Sequence, residues 1–195
     1  QSVAIADHAV AKGNQAISMG QNSFTLGENS TAVGSYATAF ADNAIAMGVD
    51  SLVGEVTRDS NKRITAVGRS NQASIAMGFG AQVNADNAVA LGMSAKVLPK
   101  IVTDTAGTKT YTEANSSVAI GQNAQVVGAQ HSLALGENSA VATEDTTDTT
   151  AAAFTGEAAT NYGNGVISIG NTRDGKNVKR RIINVAGGSG EYDAV

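Results

Sequence analysis

The sequence predicts an all-β fold, a parallel β-roll whose 14-residue coils each contain two short strands and two turns. Three observations favour it: related short segments recur along the chain, glycine or alanine falls at every seventh position near the N-terminus, and side chains alternate in size within each segment. The clearest copies are NAIAMG (43–48), SIAMG (74–78), NAVALG (87–92), SVAIG (117–121), SLALG (132–136) and VISIG (166–170).

The composition also indicates repetition rather than a conventional domain. The 195 residues include 22 glycines, 4% aromatic residues and no tryptophan, so the core is built from small side chains. The absence of cysteine excludes disulfides and thiolate metal sites. A net charge of −4 with interspersed signs argues against nucleic-acid partners. Because no hydrophobic run could span a membrane and no signal-peptide pattern is present, we expect an internal segment of a longer protein.

The coil length follows from two kinds of copy. Positions seven apart are Ala6, Gly13, Gly20, Gly27, Gly34, Ala41 and Gly48. Apolar copies, called strong, alternate with more polar copies, called weak, so the true unit has fourteen residues. A seven-residue period also suits a coiled coil, but the glycine content and the two-residue alternation favour strands. Strong and weak strands alternate throughout, about seventeen in all.

The alternation predicts where the side chains point. One set of alternate positions is small in both kinds of copy, for example Ala9 and Ala11 in a weak copy, and we expect it to line the interior. The other set is aliphatic in strong copies, with Thr31 as the polar exception. We call these seventeen side chains the stripe: Val3, Ile5, Ile17, Met19, Val33, Ile45, Met47, Ile75, Met77, Val89, Leu91, Val118, Ile120, Leu133, Leu135, Ile167 and Ile169.

The weak strands are predicted to form a solvent-facing outer wall. The set that is aliphatic in strong copies is here often polar, which places it in water: Lys12, Thr38, Thr65, Gln82, Asn84, Lys96 and Gln125. Strong strands are therefore expected to be buried on both faces. The interior of the roll covers one face, and a single chain has nothing left to cover the other. A stripe of this size exceeds the apolar patch that soluble monomers expose, so we expect an obligate oligomer with the stripes at a symmetry axis as its core. The periodicity does not determine the number of chains.

Three insertions interrupt the head, which we assign to residues 1–170. Residues 49–63 and 100–115 are alternating β-prone segments around polar turns, so we predict hairpins that stand off the roll. Residues 144–164 are rich in Thr and Ala, and we predict a flexible loop. After Gly170 the repeat ends, and residues 171–195 form a separate, more charged segment.

The C-terminal segment completes a family resemblance. SVAIG and NAIAMG repeats, then SIGN, RRIINVAGG and a terminal DAV, resemble the head repeats and neck of YadA-like trimeric autotransporter adhesins over essentially the whole chain. The resemblance implies a left-handed parallel β-roll, a homotrimeric β-prism, and a neck that leads to a coiled-coil stalk. It also implies display on the bacterial surface from an outer-membrane anchor that is absent from this segment.

The sequence offers no convincing catalytic, metal or cofactor site. His8 and His131 occupy turn-like positions without a nucleophile partner, so we interpret both as solvated turn residues. Glu144, Asp145 and Asp148 lack the loop pattern of a Ca²⁺ site and are interpreted as a solvated charge cluster. We expect Arg180 and Arg181 to pair across chains or cap carbonyl groups rather than to bind glycans. The chain is therefore predicted not to be an enzyme.

Two surfaces are candidate ligand sites. Stacking at fourteen residues places Val10, Phe24 and Thr38 in one outer column and Lys12, Leu26 and Phe40 in the next, so Phe24, Leu26 and Phe40 form an apolar patch. This patch either contacts a host protein or is covered by a neighbouring domain or the 49–63 hairpin. The second candidate is the pair of hairpin tips, which contribute Arg58, Asp59, Lys62 and Lys109.

The predicted function is adhesion. The resemblance suggests collagen, fibronectin, laminin or immunoglobulin-like receptors on host cells as partners, with self-association also open. The alternative is a structural spacer that lifts another binding tip, as in a fibre shaft. Binding by the isolated segment to matrix or cells distinguishes the two.

Overall fold

The computed structural model describes residues 1–62, 64–68, 72–146, 165–173 and 175–183. The described part is all-β apart from one 3-10 helix, Thr143–Thr146, which confirms the predicted class. Strong and weak strands form two separate parallel sheets of nine and eight strands, seventeen in total as the repeats predict. The strong strands are β1 (Val3–Ile5), β3 (Ile17–Met19), β5 (Thr31–Val33), β7 (Ile45–Met47), β11 (Ile75–Met77), β13 (Val89–Leu91), β17 (Val118–Ile120), β19 (Leu133–Leu135) and β21 (Ile167–Ser168).

The weak strands stack in the same order in the second sheet. They are β2 (Val10–Ala11), β4 (Phe24–Thr25), β6 (Thr38–Ala39), β8 (Leu52–Val53), β12 (Gln82–Val83), β14 (Lys96–Leu98), β18 (Gln125–Val127) and β20 (Ala140–Ala142). One strong strand and the weak strand after it make a coil, so there are eight coils and β21 begins a ninth. The chain passes from strong to weak strand along what we call the forward edge, and returns along the return edge.

The register repeats every fourteen residues through the first four coils and again from the fifth to the sixth, whereas Val118 pairs with Leu133, one residue further on. Val3 pairs with Ile17, and Ile17 with Thr31, in parallel ladders. The insertions leave this register intact, since Leu52 pairs with Gln82 across the first one. Each stack is therefore a continuous ladder.

Turns at both edges share one conformation. The second turn residue is in the left-handed region, with φ near +55° for Asn22 and Asn43, and Asn is the commonest residue there. Asn tolerates this region better than most residues because its short side chain bonds locally to the backbone. At the forward edge Gly34 has φ +129°, and a Cβ there would lie 2.6 Å from the carbonyl oxygen of Gly48 in the next coil. Only glycine fits both conditions.

The roll interior is filled with small side chains, as the alternation predicts. From the second to the eighth coil, the central residue of the strong strand, such as Ala32 or Ala46, is fully buried. From the fourth coil onward, the inward residue of the weak strand is valine, which is larger than the predicted small set. These buried valines are Val53, Val83, Val97, Val126 and Val141.

Hydroxyl groups in the interior are hydrogen-bonded. Ser18 Oγ and Ser23 Oγ lie 2.8 Å apart, and Thr25 Oγ1 donates to the carbonyl of Ile17 at 3.0 Å. Ser74 and Ser117 donate in the same way to carbonyls across the coil, both at 2.7 Å. Burial of these polar groups is tolerated because each has a partner.

The first insertion differs from its predicted bounds and position. Leu52 and Val53 still belong to the outer wall, and the hairpin consists of β9 (Val56–Arg58) and β10 (Ile64–Val67). Thr65 therefore lies in the hairpin and not on the outer wall. The hairpin also does not stand off the roll, since Arg58 binds Tyr36 and Thr38 of the third coil.

Two predicted solvent-facing residues of the outer wall are buried. Thr38 is fully buried because Arg58 of the first hairpin covers it. Asn84 is only 7% exposed and lies in the fifth coil, between the two coils from which the hairpins leave. We attribute its burial to these flanking insertions.

The second insertion is a projecting hairpin, as predicted. Strands β15 (Lys100–Thr103) and β16 (Lys109–Thr112) pair antiparallel, and every residue from 101 to 110 is exposed. Asp104 Oδ1 accepts from the amides of Ala106 and Thr108 and closes the turn. The third insertion begins in the 3-10 helix, and its residues 147–164 lie outside the described residues.

The proposed neck is described only in part. Asn171 and Val178 form an antiparallel bridge after the last coil. Residues 184–195, including VAGG and DAV, lie outside the described residues, so the neck and its stalk remain predictions. No helix in the described ranges is long and apolar enough to cross a membrane.

Candidate functional site

The stripe lies on the face of the nine-stranded sheet that points away from the roll interior. None of its seventeen side chains is buried by its own chain, whereas the central residues of the strong strands from β3 to β19 are buried. Exposure reaches 49% at Ile5, 40% at Met77 and 74% at Ile167. The roll therefore presents an apolar face that runs from its first coil to its last.

The outer wall brings the three predicted patch residues together. Backbone pairing places Phe24 beside Thr38, and the amide of Leu26 donates to the Ala39 carbonyl one coil on. All three members, Phe24, Leu26 and Phe40, are half-buried rather than fully exposed. Lys12 Nζ lies 5.9 Å from the centre of the Phe24 ring, within cation–π distance.

Arg58 anchors the first hairpin to this wall. Its guanidinium donates to the Tyr36 carbonyl at 2.8 Å, to Thr38 Oγ1 at 2.5 Å and to the Lys62 carbonyl at 2.9 Å. Burial lowers the pKa of Arg58, while the nearby Asp50 carboxylate opposes that shift. Arg58 therefore has a structural role and its donors face the protein.

The other residues of the first hairpin tip are also engaged. Lys62 forms an ion pair with Asp50, and its Nζ lies 5.0 Å from the centre of the Tyr36 ring. Asp59 Oδ1 accepts from the Asn61 amide at 2.9 Å and shapes the tip. The second hairpin places Lys109 in solvent, so the structure does not bring the four predicted tip residues into one site.

A small cleft separates the first hairpin from the first two coils. It has a volume of about 240 Å³, with Val10 and Phe24 on the wall and Ile64 and Lys62 on the hairpin. His8 and Asn22 line its forward-edge side. An aromatic ring bordered by a lysine suits a protein surface that offers both apolar and acidic groups.

Comparison with known proteins gives the repeat family. The model of the YadA head domain repeat, which spans two copies, matches residues 11–37, 26–51, 70–95 and 106–125. The chain carries YadA head repeats. Between the matched ranges, residues 52–69 contain the first hairpin and residues 96–105 contain the start of the second, while residues 126–195 lie beyond the last match.

The fold agrees with a YadA head over nearly the whole chain. The crystal structure of the collagen-binding domain of the Yersinia adhesin YadA matches with a TM-score of 0.57 and 23% identity, covering 92% of this chain and 69% of that chain. No curated protein sequence matches the chain. The predicted resemblance of the head and the predicted parallel β-roll are confirmed.

A YadA-type head is a non-enzymatic module, which confirms that prediction. His8 and His131 are both exposed, and both occupy the left-handed turn position with φ +55°. His8 Nδ1 lies 3.0 Å from Asp7, a contact at the protein surface. Within the described ranges, no group of three or more His, Cys, Asp or Glu side chains is placed to hold a metal ion.

The acidic cluster after the eighth coil forms ion pairs. Lys100 at the base of the second hairpin binds Glu144 at 2.5 Å, and this hydrogen bond lowers the pKa of Glu144. Asp145 binds Arg173 of the following segment through both carboxylate oxygens. Asp148 lies outside the described residues. These contacts connect the insertions of the YadA-type roll to its C-terminal end.

Arg180 caps carbonyl groups, as expected. Its guanidinium donates to the carbonyls of Ile169 at 2.6 Å and Glu137 at 2.5 Å. Arg181 is exposed. The described part of the neck segment is thus attached to the last coil of the roll within one chain.

One apolar feature of this YadA-type roll was missed by sequence reasoning. Val49, Phe79 and Met93 occupy the first turn position of three successive coils on the forward edge and are 41%, 58% and 45% exposed. In the other coils this position holds Asp7, Gln21, Ser35, Gln122 or Glu137. The sequence does contain a signal for this feature, since a turn position that is polar in the other coils is apolar in three consecutive coils. We call these three residues the edge column.

Proposed function

We propose that this chain is the head of a homotrimeric adhesin displayed on the bacterial surface from the outer membrane. In this proposal the stripes of three chains meet at the trimer axis, and the outer wall binds a protein of the host extracellular matrix or an immunoglobulin-like receptor. The observation that supports it most is the stripe of seventeen aliphatic side chains on a roll built from YadA head repeats.

The stripe favours assembly on energetic grounds. Soluble monomers rarely expose a contiguous apolar patch larger than a few hundred Å². Full burial of one aliphatic side chain is worth about 1.5–3 kcal/mol, and these side chains are already partly covered. Assembly would thus contribute on the order of 10–20 kcal/mol per chain before the cost of association is subtracted.

The cleft at Phe24 supports a ligand site on the outer wall. Phe24, Leu26 and Phe40 form a half-buried apolar surface, with Lys12 at one side and the first hairpin at the other. Apolar and aromatic groups at the centre of a charged rim are typical of protein contacts. A trimer would present three copies, so a weak site would gain from avidity.

The choice of ligands to test follows from the comparisons. The Yersinia relative is a collagen-binding domain, so collagen comes first. Fibronectin, laminin and immunoglobulin-like cell-surface receptors complete the panel.

The experiment compares binding by the wild-type chain and by the variant Phe24→Ser/Phe40→Ser. We expect the wild type to bind at least one immobilised member of the panel and the double variant to lose most of that binding, because two aromatic contacts per chain are removed. Gln125→Ser, on the same wall in the seventh coil, serves as the matched control and should bind normally. Light scattering checks that all three proteins have the mass of three 19.6 kDa chains.

Each outcome tests a different part of the proposed function. A folded trimer with undiminished binding by the double variant contradicts the patch as the ligand site. A wild-type trimer that binds none of the panel favours the spacer alternative. A mass that grows with concentration beyond three chains favours self-association.

A further inference from the structure

The edge column lies at the same level of the roll as the two hairpins. Its members are stacked neighbours, because Gly80 N donates to the Val49 carbonyl and Ser94 N donates to the Phe79 carbonyl. They belong to the fourth, fifth and sixth coils. The first hairpin follows β8 of the fourth coil, and the second follows β14 of the sixth. The apolar turn residues and the insertions therefore occur in the same coils, but on opposite edges.

An open groove adjoins the edge column. It has a volume of about 460 Å³, and Phe79 forms its forward-edge side. The floor is the outer wall at Leu52, Gln82 and Lys96, and Val56 of the first hairpin stands opposite Phe79. The groove thus offers an aromatic ring and two aliphatic side chains, bordered by a lysine.

The second hairpin is exposed on both of its faces. Ile101 is 43% exposed and Val102 is 54% exposed, and these neighbours point to opposite sides of the two-stranded sheet. An isolated two-stranded hairpin is only marginally stable in water. The first hairpin, by contrast, is attached to its own roll through Arg58. An apolar surface that covers the second hairpin would stabilise it.

Cyclic symmetry supplies such a surface. In a trimer whose nine-stranded sheets face the axis, the return edge of each protomer adjoins the forward edge of the next. Rotation about that axis keeps each coil at its own level. The second hairpin, which leaves the return edge at the sixth coil, is therefore brought to the level of Phe79 and Met93 in the neighbouring chain. The edge column also continues the stripe, since Phe79 follows Met77 by two residues.

We propose that the second hairpin of one protomer packs into the groove beside Phe79 of the neighbouring protomer. This inference rests on the proposed trimer and adds an interface outside its axis. Each chain contributes its second hairpin to one neighbour and accepts the second hairpin of the other. We call each hairpin packed in this way a strap, and three straps surround the head. The ligand is a second copy of this chain, and the apolar surfaces on the two sides complement each other.

Cysteine cross-linking tests the proposal directly, because the chain contains no cysteine. The double variant Phe79→Cys/Ile101→Cys should form disulfide-linked trimers on oxidation, seen on a non-reducing gel. Each single variant should remain unlinked. Trimers assembled from a mixture of the two single variants should give linked dimers. Met93→Cys/Ile101→Cys is a second pair that does not alter Phe79.

A matched control and a mass measurement separate the two proposals. Gln21→Cys/Ile101→Cys places the first cysteine on the same edge in the second coil, and should not cross-link. If light scattering gives a trimer but neither test pair links between chains, the strap is overturned and the trimer stands. A disulfide that forms within one chain also overturns the strap. A monomeric mass overturns both.

Discussion

At the residue scale, the backbone conformation of the turns explains why this sequence repeats as it does. Asn43 lies in the left-handed region, and Gly34 has a φ that L-residues rarely adopt. A side chain at Gly34 would also meet the backbone of the next coil. The seven-residue spacing of Gly and Ala was therefore a direct signal of two turns in each coil.

Gly34→Ala tests this constraint. We expect the free energy of unfolding to fall by about 2–3 kcal/mol, because the variant combines backbone strain with a contact of 2.6 Å to the Gly48 carbonyl oxygen. Asn29→Gly is the control, since its φ of +52° suits glycine, and the change should stay within about 0.5 kcal/mol. Urea denaturation measures the free energy of unfolding of both variants and of the wild type. Equal stability of Gly34→Ala and wild type would contradict the expected strain.

At the element scale, the two hairpins differ in how far they could be predicted. The second hairpin follows from its alternation, and the structure pairs Lys100 with Thr112 inside the predicted range 100–115. The first hairpin folds onto the wall because Arg58 reaches the Tyr36 carbonyl, 22 positions away. A tertiary contact of this kind leaves no local pattern, so the burial of Thr38 could not be foreseen from its polarity.

Arg58→Ala should release the first hairpin from the wall. The variant removes three hydrogen bonds and exposes Thr38, while the parallel ladders of the roll remain. We expect faster amide hydrogen exchange in residues 56–67 and little change in the strong strands, measured by mass spectrometry. Lys109→Ala, on the other hairpin, is the control. Unchanged exchange in the first hairpin would show that other contacts hold it.

At the scale of the whole molecule, the two sheets have opposite roles. The eight-stranded sheet presents polar and half-buried residues, whereas the nine-stranded sheet presents the stripe. Alternation in the strong copies, such as Ile75 and Met77 around Ala76, allowed this face to be predicted residue by residue. The number of chains could not be derived in this way, because periodicity along one chain contains no information about rotation between chains.

Ile75→Asp tests the role of the stripe. In the proposed trimer it places three carboxylates near one axis, and we expect a loss of about 3 kcal/mol or more per chain from burial of an unpaired charge. The variant should therefore dissociate at protein concentrations at which the wild type stays assembled, measured by light scattering over a dilution series. Gln125→Asp, at a weak strand of the seventh coil, should leave the oligomeric mass unchanged at every concentration. An Ile75→Asp variant that resists dilution as well as the wild type would contradict the assignment of the stripe to the core.

The unbroken ladder beneath the first hairpin has a further consequence. Leu52 and Gln82 remain partners although thirty positions separate them where fourteen suffice elsewhere. Added residues at the return edge can therefore change in length or chemistry without shifting any strand. An inserted hairpin at this edge can therefore be exchanged for another recognition peptide while the strands of the roll keep their pairing.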